Sequence, residues 1–469
     1  MPAQFRAPRG TRDILPAERV VWSRVEAAAR EVAARYGYRE IETPLFEQSA
    51  VFERGVGEVT DIVEKELFRV SPSRGEERER WALRPEATAG IVRAYLEHGL
   101  HTLPQPLRLN LYGPMFRYDR PQAGRYRQFW QWDVEAIGDS GPAIDAEIIE
   151  LGLRFYRSVG LTTVEAKLNS IGDSACRPAY IKLIRSYFAS HRERLPETER
   201  RRLETNPLRL LDSKDAALAE LNAGAPRLVD HLCQPCADHF AAVRTHLDAL
   251  GVPYRISPEI VRGLDYYTRT TFEYFMPGAE GQQDALGGGG RYDGLIELLG
   301  GRPTPAIGYA LGIDRVVGAV QELGEAEAGR AEGAALTVVV GADPGDTAGR
   351  LRLATDLRAA GLTARADLST RKLGKQLDAA ARDGAHFAVI LGDQSATADD
   401  ARGGASGDRG SEDRGAEVRG SEVRGSAARG SAASGHVQLR DLPAGTQRSV
   451  AQSDLVRELE RANQTHHHG

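Results

Sequence analysis

Polar side chains that could bind an anion and a small polar ligand recur around one predicted hairpin. Gln131, Asp133 and Glu135 stand at every second position, with apolar residues between them. Successive side chains of a β-strand point to opposite faces, so this segment predicts a strand with one polar and one apolar face. Arg117 ends the preceding alternating segment, Arg125 follows the loop, and a guanidinium suits phosphate or carboxylate in bidentate geometry. The pattern by itself allows two interpretations equally: an anion site at the hairpin tip, or a surface hairpin with ordinary Arg–Asp pairs.

Composition restricts the class of protein. The chain has 469 residues, a net charge of −5 and 41% hydrophobic residues, enough for two or three domains with full cores. Its three cysteines predict a reducing compartment and no disulfide framework. The first residues carry no secretory h-region and no apolar run is long enough to span a bilayer, so we expect a cytoplasmic protein without a membrane segment. The slightly acidic balance argues against indiscriminate nucleic-acid binding.

Composition and periodicity also divide the chain into segments. Residues 1–324 mix helical and strand-like patterns, and within them residues 174–255 predict an inserted helical subdomain. Residues 325–335 read as a linker, and residues 336–469 alternate as β-α-β-α-β, which predicts a small, largely parallel α/β domain. An Arg-Gly tract at 396–435 interrupts that domain. Acidic residues offset its arginines and it lacks aromatic residues, so it favours a disordered loop over an RNA-binding arm.

A metal site is one interpretation of His231, Cys233, Cys236 and His239. Structural zinc sites pair a CxxC with a second, distant ligand pair, whereas these four candidates crowd into one short segment. The sequence therefore favours a buried pair of thiols in a helical turn, and we predict no metal.

A nucleotide site would have to be built on arginines. The glycine run at 287–290 fits neither the GxxxxGK[ST] nor the GxGxxG pattern, so it predicts a bend or a close approach to the backbone. The candidate phosphate ligands are Arg117, Arg125, Arg262 and Arg315.

Five segments, in chain order, carry a resemblance to a known family. They are LRPEATAG (83–90), GPMFR…GRYRQF (113–129), RGLDYYTRT (262–270), GGGRYDGL (288–295) and GYALGIDR (308–315). The second and last resemble motifs 2 and 3 of class II aminoacyl-tRNA synthetases, and Pro44 with its flanks fits their weaker motif 1. The combination is similar to the histidyl-tRNA synthetases. The resemblance implies an α+β catalytic domain with an antiparallel sheet flanked by helices, a helical insertion and a C-terminal α/β anticodon-binding domain.

The same resemblance implies a histidine pocket. Its members would be Glu86, Thr88, Gln131, Glu135, Tyr266, Tyr267 and Tyr292. Glu86 and Thr88, helped by Gln131, would hold the α-amino group. Glu135 and Tyr267 would bind the imidazole, and an acid and a phenol suit a ring that presents one donor and one acceptor. The other two tyrosines would line the pocket.

An ATP site is implied beside that pocket. Arg117 and Arg262 would flank the α-phosphate as catalytic residues, because two anions must be brought together. Arg125 and Arg315 would hold the outer phosphates with Mg²⁺, and Phe129 would stack on adenine.

The implied activity is a two-step ligation. Histidine and ATP would give histidyl-adenylate and pyrophosphate, and the histidyl group would pass to the terminal adenosine of histidine tRNA. The resemblance also implies a homodimer. Two alternatives stand beside it: a non-catalytic relative, such as the synthetase-like regulatory subunit of ATP phosphoribosyltransferase, and a class II synthetase for another amino acid.

Overall fold

A computed structural model shows how these segments are arranged. It describes residues 5–56, 62–71, 80–119, 125–205, 207–211, 213, 216–258, 260, 266–277, 285–327, 335–392 and 435–467. The chain forms two compact units, Met1–Gly329 and Arg330–Gly469.

The first unit is built on one large sheet. Its helices and strands are α1 (Pro16–Arg35), β1 (Arg39–Glu40), β2 (Phe46–Gln48), α2 (Ser49–Val56), β3 (Arg69–Val70), β4 (Trp81–Leu83), α3 (Thr88–Glu97), β5 (Leu107–Phe116), β6 (Gln128–Ile137), α4 (Pro142–Ser158), β7 (Glu165–Ser170), α5 (Arg177–Ser190), α6 (Glu197–Thr205), α7 (Ala216–Ala223), α8 (Gln234–Ala249), β8 (Tyr254–Ile256), β9 (Thr268–Phe275), β10 (Ala285–Arg291), α9 (Leu295–Leu298), β11 (Ala306–Gly312) and α10 (Ile313–Glu327). Helix α10 thus continues past residue 325, where the linker was expected to begin.

Within the described ranges, eight strands form that sheet in the order β1-β5-β6-β11-β10-β9-β7-β8. All its neighbours are antiparallel except β1 with β5 and β7 with β8. A smaller sheet has the order β2-β4-β3. The predicted class, an antiparallel sheet flanked by helices, is confirmed.

The alternation along β6 decides which face of the sheet is covered. Trp132 and Val134 are fully buried in a core shared with residues of α1, α4 and α10, including Trp22. Removing one such aromatic side chain costs about 3–5 kcal/mol. The side chains of Gln131 and Glu135 therefore lie on the opposite face, where the functional cavity is found.

The predicted insertion at 174–255 consists of two parts. Helices α5 to α7 build a small core of their own, which includes Ile184, Phe188 and Leu218. Helix α8 instead packs on α4, with Phe240 and Val243 in the main core, and β8 joins the large sheet beside β7. Sequence composition could not separate these parts, because a helix that packs on a second helix and one that packs on a sheet carry similar apolar patterns.

The second unit is a five-stranded sheet with helices. Its elements are β12 (Thr337–Gly341), α11 (Thr347–Ala359), β13 (Ala364–Ala366), α12 (Leu373–Arg382), β14 (Phe387–Leu391), β15 (His436–Asp441), β16 (Gln447–Ala451) and α13 (Leu455–His467). Strands β13, β12 and β14 are parallel, as predicted, and β15 and β16 add an antiparallel edge. The Arg-Gly tract, apart from Gly435, lies outside the described residues. No described helix of either unit is long and apolar enough to cross a membrane.

Candidate active site

A cavity of ≈ 720 Å³ lies against the polar face of the large sheet. The predicted site residues that line it are Glu86, Thr88, Arg117, Arg125, Phe129, Gln131, Tyr266, Tyr267, Tyr292 and Arg315. This volume is within the range of small-molecule and cofactor sites. Two predicted residues are not among them: Glu135 is buried and is not one of the lining residues, and Arg262 lies outside the described residues.

The segment before α3 brings Glu86 to the cavity. Helix α3 begins at Thr88, so Pro85 and Glu86 precede the helix. Both residues make hydrogen bonds there. The Pro85 carbonyl accepts a hydrogen bond from Arg117 Nε (2.8 Å), and Glu86 Oε1 accepts one from the Ala89 N–H (3.0 Å).

Unsatisfied acceptors mark one end of the cavity. Glu86 Oε2 and Gln131 Oε1 are buried and have no hydrogen-bond partner among the described residues. Burial raises the pKa of Glu86, although Arg117 opposes the shift. An ammonium has three donors and no acceptor, so it would satisfy both atoms.

Glu135 is the centre of a buried hydrogen-bond group. Its Oε1 accepts from the Thr88 hydroxyl (2.6 Å) and its Oε2 accepts from the Tyr292 hydroxyl. Burial raises the pKa of Glu135 to about 8, while these two hydrogen bonds oppose the shift. A carboxylate offers about four acceptor positions, so Glu135 keeps acceptor capacity beyond these two hydrogen bonds.

Asp133 was placed on the polar face by the sequence but was given no role. It is fully buried, lines the cavity, and neither carboxylate oxygen has a hydrogen-bond partner in the described part of the chain. Burial raises its pKa well above the ordinary value, and the nearby charges of Glu135 and Glu86 raise it further. Its position midway between Gln131 and Glu135, on the same face of the strand, was the feature of the sequence that could have identified Asp133 as a site residue. Three crowded, desolvated carboxyl groups favour a cationic or hydrogen-bond-donating ligand.

An aromatic wall closes the same end. The ring centroids of Tyr266 and Tyr267 are 4.9 Å apart, and those of Tyr266 and Tyr292 are 5.7 Å apart. Arg291 lies next to Tyr292 in this wall, and the sequence did not identify it as a positioning residue. Its buried guanidinium forms an ion pair with Asp145 and donates to the Gly141 carbonyl (3.0 Å). We infer that these contacts fix strand β10 and hence the neighbouring tyrosine, Tyr292.

Arginines line the cavity beyond these carboxyl groups. The guanidinium of Arg117 lies 5.2 Å from the ring centroid of Phe129, and burial lowers the pKa of Arg117. Arg315 donates to the Ala285 carbonyl. Arg125, which is largely exposed, pairs with Asp119 at 3.5 Å. Fixed cations beside a desolvated cavity are suited to a polyanionic ligand.

One glycine makes room for Glu135. Gly308 lies opposite Glu135 in the pairing of β11 with β6, and a Cβ built on Gly308 would lie 1.6 Å from Glu135 Oε2. We expect Gly308→Ala to displace that carboxylate and to lower kcat/KM for the amino acid that the resemblance implies by at least about tenfold, because small displacements of a binding group are costly. The measurement is steady-state kinetics with folding checked by circular dichroism. The control is Gly318→Ala on α10, where a Cβ would meet nothing within 4 Å; equal activity of the two variants would contradict the prediction.

Known proteins resemble this chain over most of its length. The family model described as histidyl-tRNA synthetase matches residues 10–173 and 183–316, and that of an anticodon binding domain matches residues 336–402. A protein named histidine–tRNA ligase from Desulforudis audaxviator is 42% identical over 457 residues, 97% of this chain and 98% of its own length. Another with that name, from Anaeromyxobacter dehalogenans, is 48% identical over 384 residues, 82% of this chain and 91% of its own length.

A solved structure extends the likeness to three dimensions. The apo histidyl-tRNA synthetase of S. aureus superposes with a TM-score of 0.73 at 31% identity, covering 97% of this chain and 100% of that one. The family model covers well over half of the chain, and the relatives align over nearly their whole length. The chain therefore belongs to the histidyl-tRNA synthetase family.

Proposed function

We propose that this protein is a histidine–tRNA ligase that activates histidine with ATP and transfers the histidyl group to histidine tRNA. The observation that carries the proposal is the division of the cavity. Desolvated acceptors, Glu86, Gln131 and Asp133, are grouped beside the buried Glu135, and arginines line the rest. That arrangement fits an amino acid with a polar ring beside a nucleoside triphosphate.

Histidine would bind at the carboxyl-rich end. Its α-ammonium would donate to Glu86 Oε2 and Gln131 Oε1, with Thr88 beside them. Its imidazole would donate an N–H to Glu135 and accept from the Tyr267 hydroxyl. Tyr266 and Tyr292 would cover the ring. These contacts hold the substrate carboxylate towards the arginines, which is the orientation that in-line attack requires.

The first reaction step needs charge neutralisation more than covalent help. A carboxylate oxygen of histidine attacks the α-phosphorus of ATP, a new P–O bond forms, and pyrophosphate leaves with the electrons of the broken P–O bond. Arg117 is held by its Nε on Pro85, so its guanidinium is already oriented towards the developing charge. Arg262 is proposed for the opposite side of the phosphate from the motif alone, since it lies outside the described residues.

The outer phosphates would be bound by Arg125 and Arg315. Arg315 interacts electrostatically with both Arg125 and Glu273. Glu273 and Asp119 also line the cavity. Mg²⁺ is usually held by one or two carboxylates together with substrate phosphates, so these residues fit the ion that the family implies. When bound, Mg²⁺ would neutralise phosphate charge. Phe129 would stack on adenine with one face of its ring, and Arg117 would lie against the other face of the Phe129 ring.

The second step and the assembly are also proposals. The second unit would bind the anticodon region of tRNA, in agreement with the matched domain model. A homodimer would form through the segment around Pro44, where Leu45 and Phe46 are 43% and 50% exposed. The domain boundaries and the cytoplasmic location stay predictions.

The test is amino-acid-dependent exchange of labelled pyrophosphate into ATP, screened across all twenty amino acids without tRNA. We expect exchange with histidine only, because the carboxyl-rich end of the cavity fits its ammonium and its ring. No tRNA is needed, because the adenylate forms before tRNA takes part. Exchange with a different amino acid would contradict the pocket assignment. A folded protein that binds histidine but catalyses no exchange would favour the regulatory relative.

A further inference from the structure

Three cysteines and an aspartate from distant parts of the chain converge outside the cavity. Asp173 and Cys176 stand just before α5, and Cys233 and Cys236 stand at the start of α8. Asp173 and Cys233 are 60 positions apart in the chain. One ligand atom from each of the four residues lies within 4.8 Å of all the others.

The distances approach those of a tetrahedral metal site. Asp173 Oδ1 lies 3.6 Å from Cys176 Sγ and 3.8 Å from Cys233 Sγ. With Zn–S bonds of about 2.3 Å, tetrahedral coordination separates neighbouring sulfur atoms by about 3.8 Å. The group could therefore close on an ion with shifts of a fraction of an ångström to about 1 Å.

The backbone holds two of these ligands in place. Gly172 has φ +62°, the left-handed region, and a Cβ there would lie 2.3 Å from Cys176 Sγ. Asp173 Oδ1 accepts the backbone N–H of Ala175 (3.0 Å), and Arg269 lies 3.6 Å from Asp173 Oδ2. Arg269 would compensate the excess negative charge of three thiolates and a carboxylate on a divalent ion.

Both helices direct their positive ends towards the cluster. Cys176 is the N-cap of α5, Cys233 is the N-cap of α8, and Cys236 lies in the first turn of α8. The N-terminus of a helix stabilises negative charge and favours the thiolate, which is the form of cysteine that binds metal.

We propose that Asp173, Cys176, Cys233 and Cys236 bind one Zn²⁺ as a structural site. Thiolate and carboxylate are both established zinc ligands, and a site with all four positions taken by protein is a structural one. This proposal departs from the expectation of no metal.

The ligand set also differs from the one that sequence spacing suggested. Neither histidine belongs to the cluster found among the described residues, which consists of the aspartate and the three cysteines. His239 Nε2 instead lies 3.6 Å from an oxygen of Asp145. The distant ligand pair that spacing failed to supply is Asp173 with Cys176.

The site would fix the small helical core of α5 to α7 to the rest of the first unit. Its two ligand pairs lie at the beginning and the end of the α5–α7 segment, where that segment leaves and rejoins the rest. Arg177, next to Cys176, donates to the Tyr267 carbonyl at 2.5 Å. The metal would therefore stabilise a wall of the cavity without touching a substrate.

The experiment is metal analysis of the reduced, full-length protein, purified without a metal-affinity column. A variant with alanines at 466–468 is the background, because the histidines there could bind metal on their own. We expect about one zinc per chain. Cys176→Ser and Cys236→Ser should each lower the zinc content about tenfold, whereas the matched control His231→Gln should retain it.

A second readout avoids variants that fail to fold. Replacement of the bound ion by Co²⁺ in the unmutated ligand set should give thiolate-to-cobalt charge-transfer absorption and the visible bands of tetrahedral Co²⁺. A folded, reduced protein that neither carries zinc nor develops these bands would overturn the proposal. So would zinc retained by both serine variants, or a Cys–Cys disulfide in a protein that takes up no metal after reduction.

Discussion

Arg117→Ala is expected to slow histidine-dependent exchange of pyrophosphate into ATP by about 10²–10³-fold, the usual loss when a charge-stabilising donor is removed from a preorganised site. Arg117 lines the cavity, and its guanidinium is held between the Pro85 carbonyl and the ring of Phe129. Burial lowers the pKa of Arg117 because desolvation disfavours its charged form, and an anion bound in the cavity would offset that cost. The measurement is the exchange rate at saturating histidine and ATP.

The matched control is Arg127→Ala. Arg127 belongs to the same hairpin, but its guanidinium lies 3.8 Å from the ring centroid of Tyr118 and donates to the Arg9 carbonyl (3.2 Å). We expect its removal to change the exchange rate less than about threefold, because surface contacts of this kind contribute little. Similar rates for the two variants, with both folded, would remove Arg117 from the reaction.

Above about pH 8, where Glu135 is ionised, Glu135→Gln is expected to lower kcat/KM for histidine by roughly 10²–10³-fold, since disrupting a buried, hydrogen-bonded charge pair costs about 2–5 kcal/mol. Glutamine keeps the volume of the side chain under Gly308, so packing is preserved. The acceptor charge is lost, and its amide group faces two hydroxyls, from Thr88 and Tyr292, that donate to the native carboxylate. Tyr292→Phe removes one donor and keeps the charge, so we expect it to have the smaller effect.

The same residue predicts a pH dependence. Burial raises the pKa of Glu135 to about 8, so the free protein holds this carboxyl protonated below that pH and ionised above it. The pH profile of kcat/KM reports ionisations of the free enzyme. We therefore expect kcat/KM for histidine to rise between about pH 7 and pH 8.5, where free imidazole is already neutral. Glu135→Gln should flatten the rise; a wild-type profile that falls over this interval would contradict the assignment.

Much of the candidate site could be predicted from the sequence, because successive side chains of a strand alternate between its two faces. The faces of β6 follow from a period of two, and the ordered motifs indicated the family and the residues that meet at the cavity. Ten of the twelve predicted site residues line it. Glu135 was correctly placed on the polar face, but its position behind Thr88 and Tyr292 was not predictable, because those partners are 47 and 157 positions away.

What the sequence determined by itself is therefore local: the hairpin, the alternation of Gln131 and Glu135, and motifs that each lie on one element. Only the tertiary structure decided what depends on pairing distant elements. It buried Asp133 among other carboxyl groups, packed α8 on the main core, and brought Asp173 to the cysteines of that helix. The physical reason is that backbone periodicity acts over a few residues, whereas desolvation and ligand geometry depend on which remote segments the fold brings into contact.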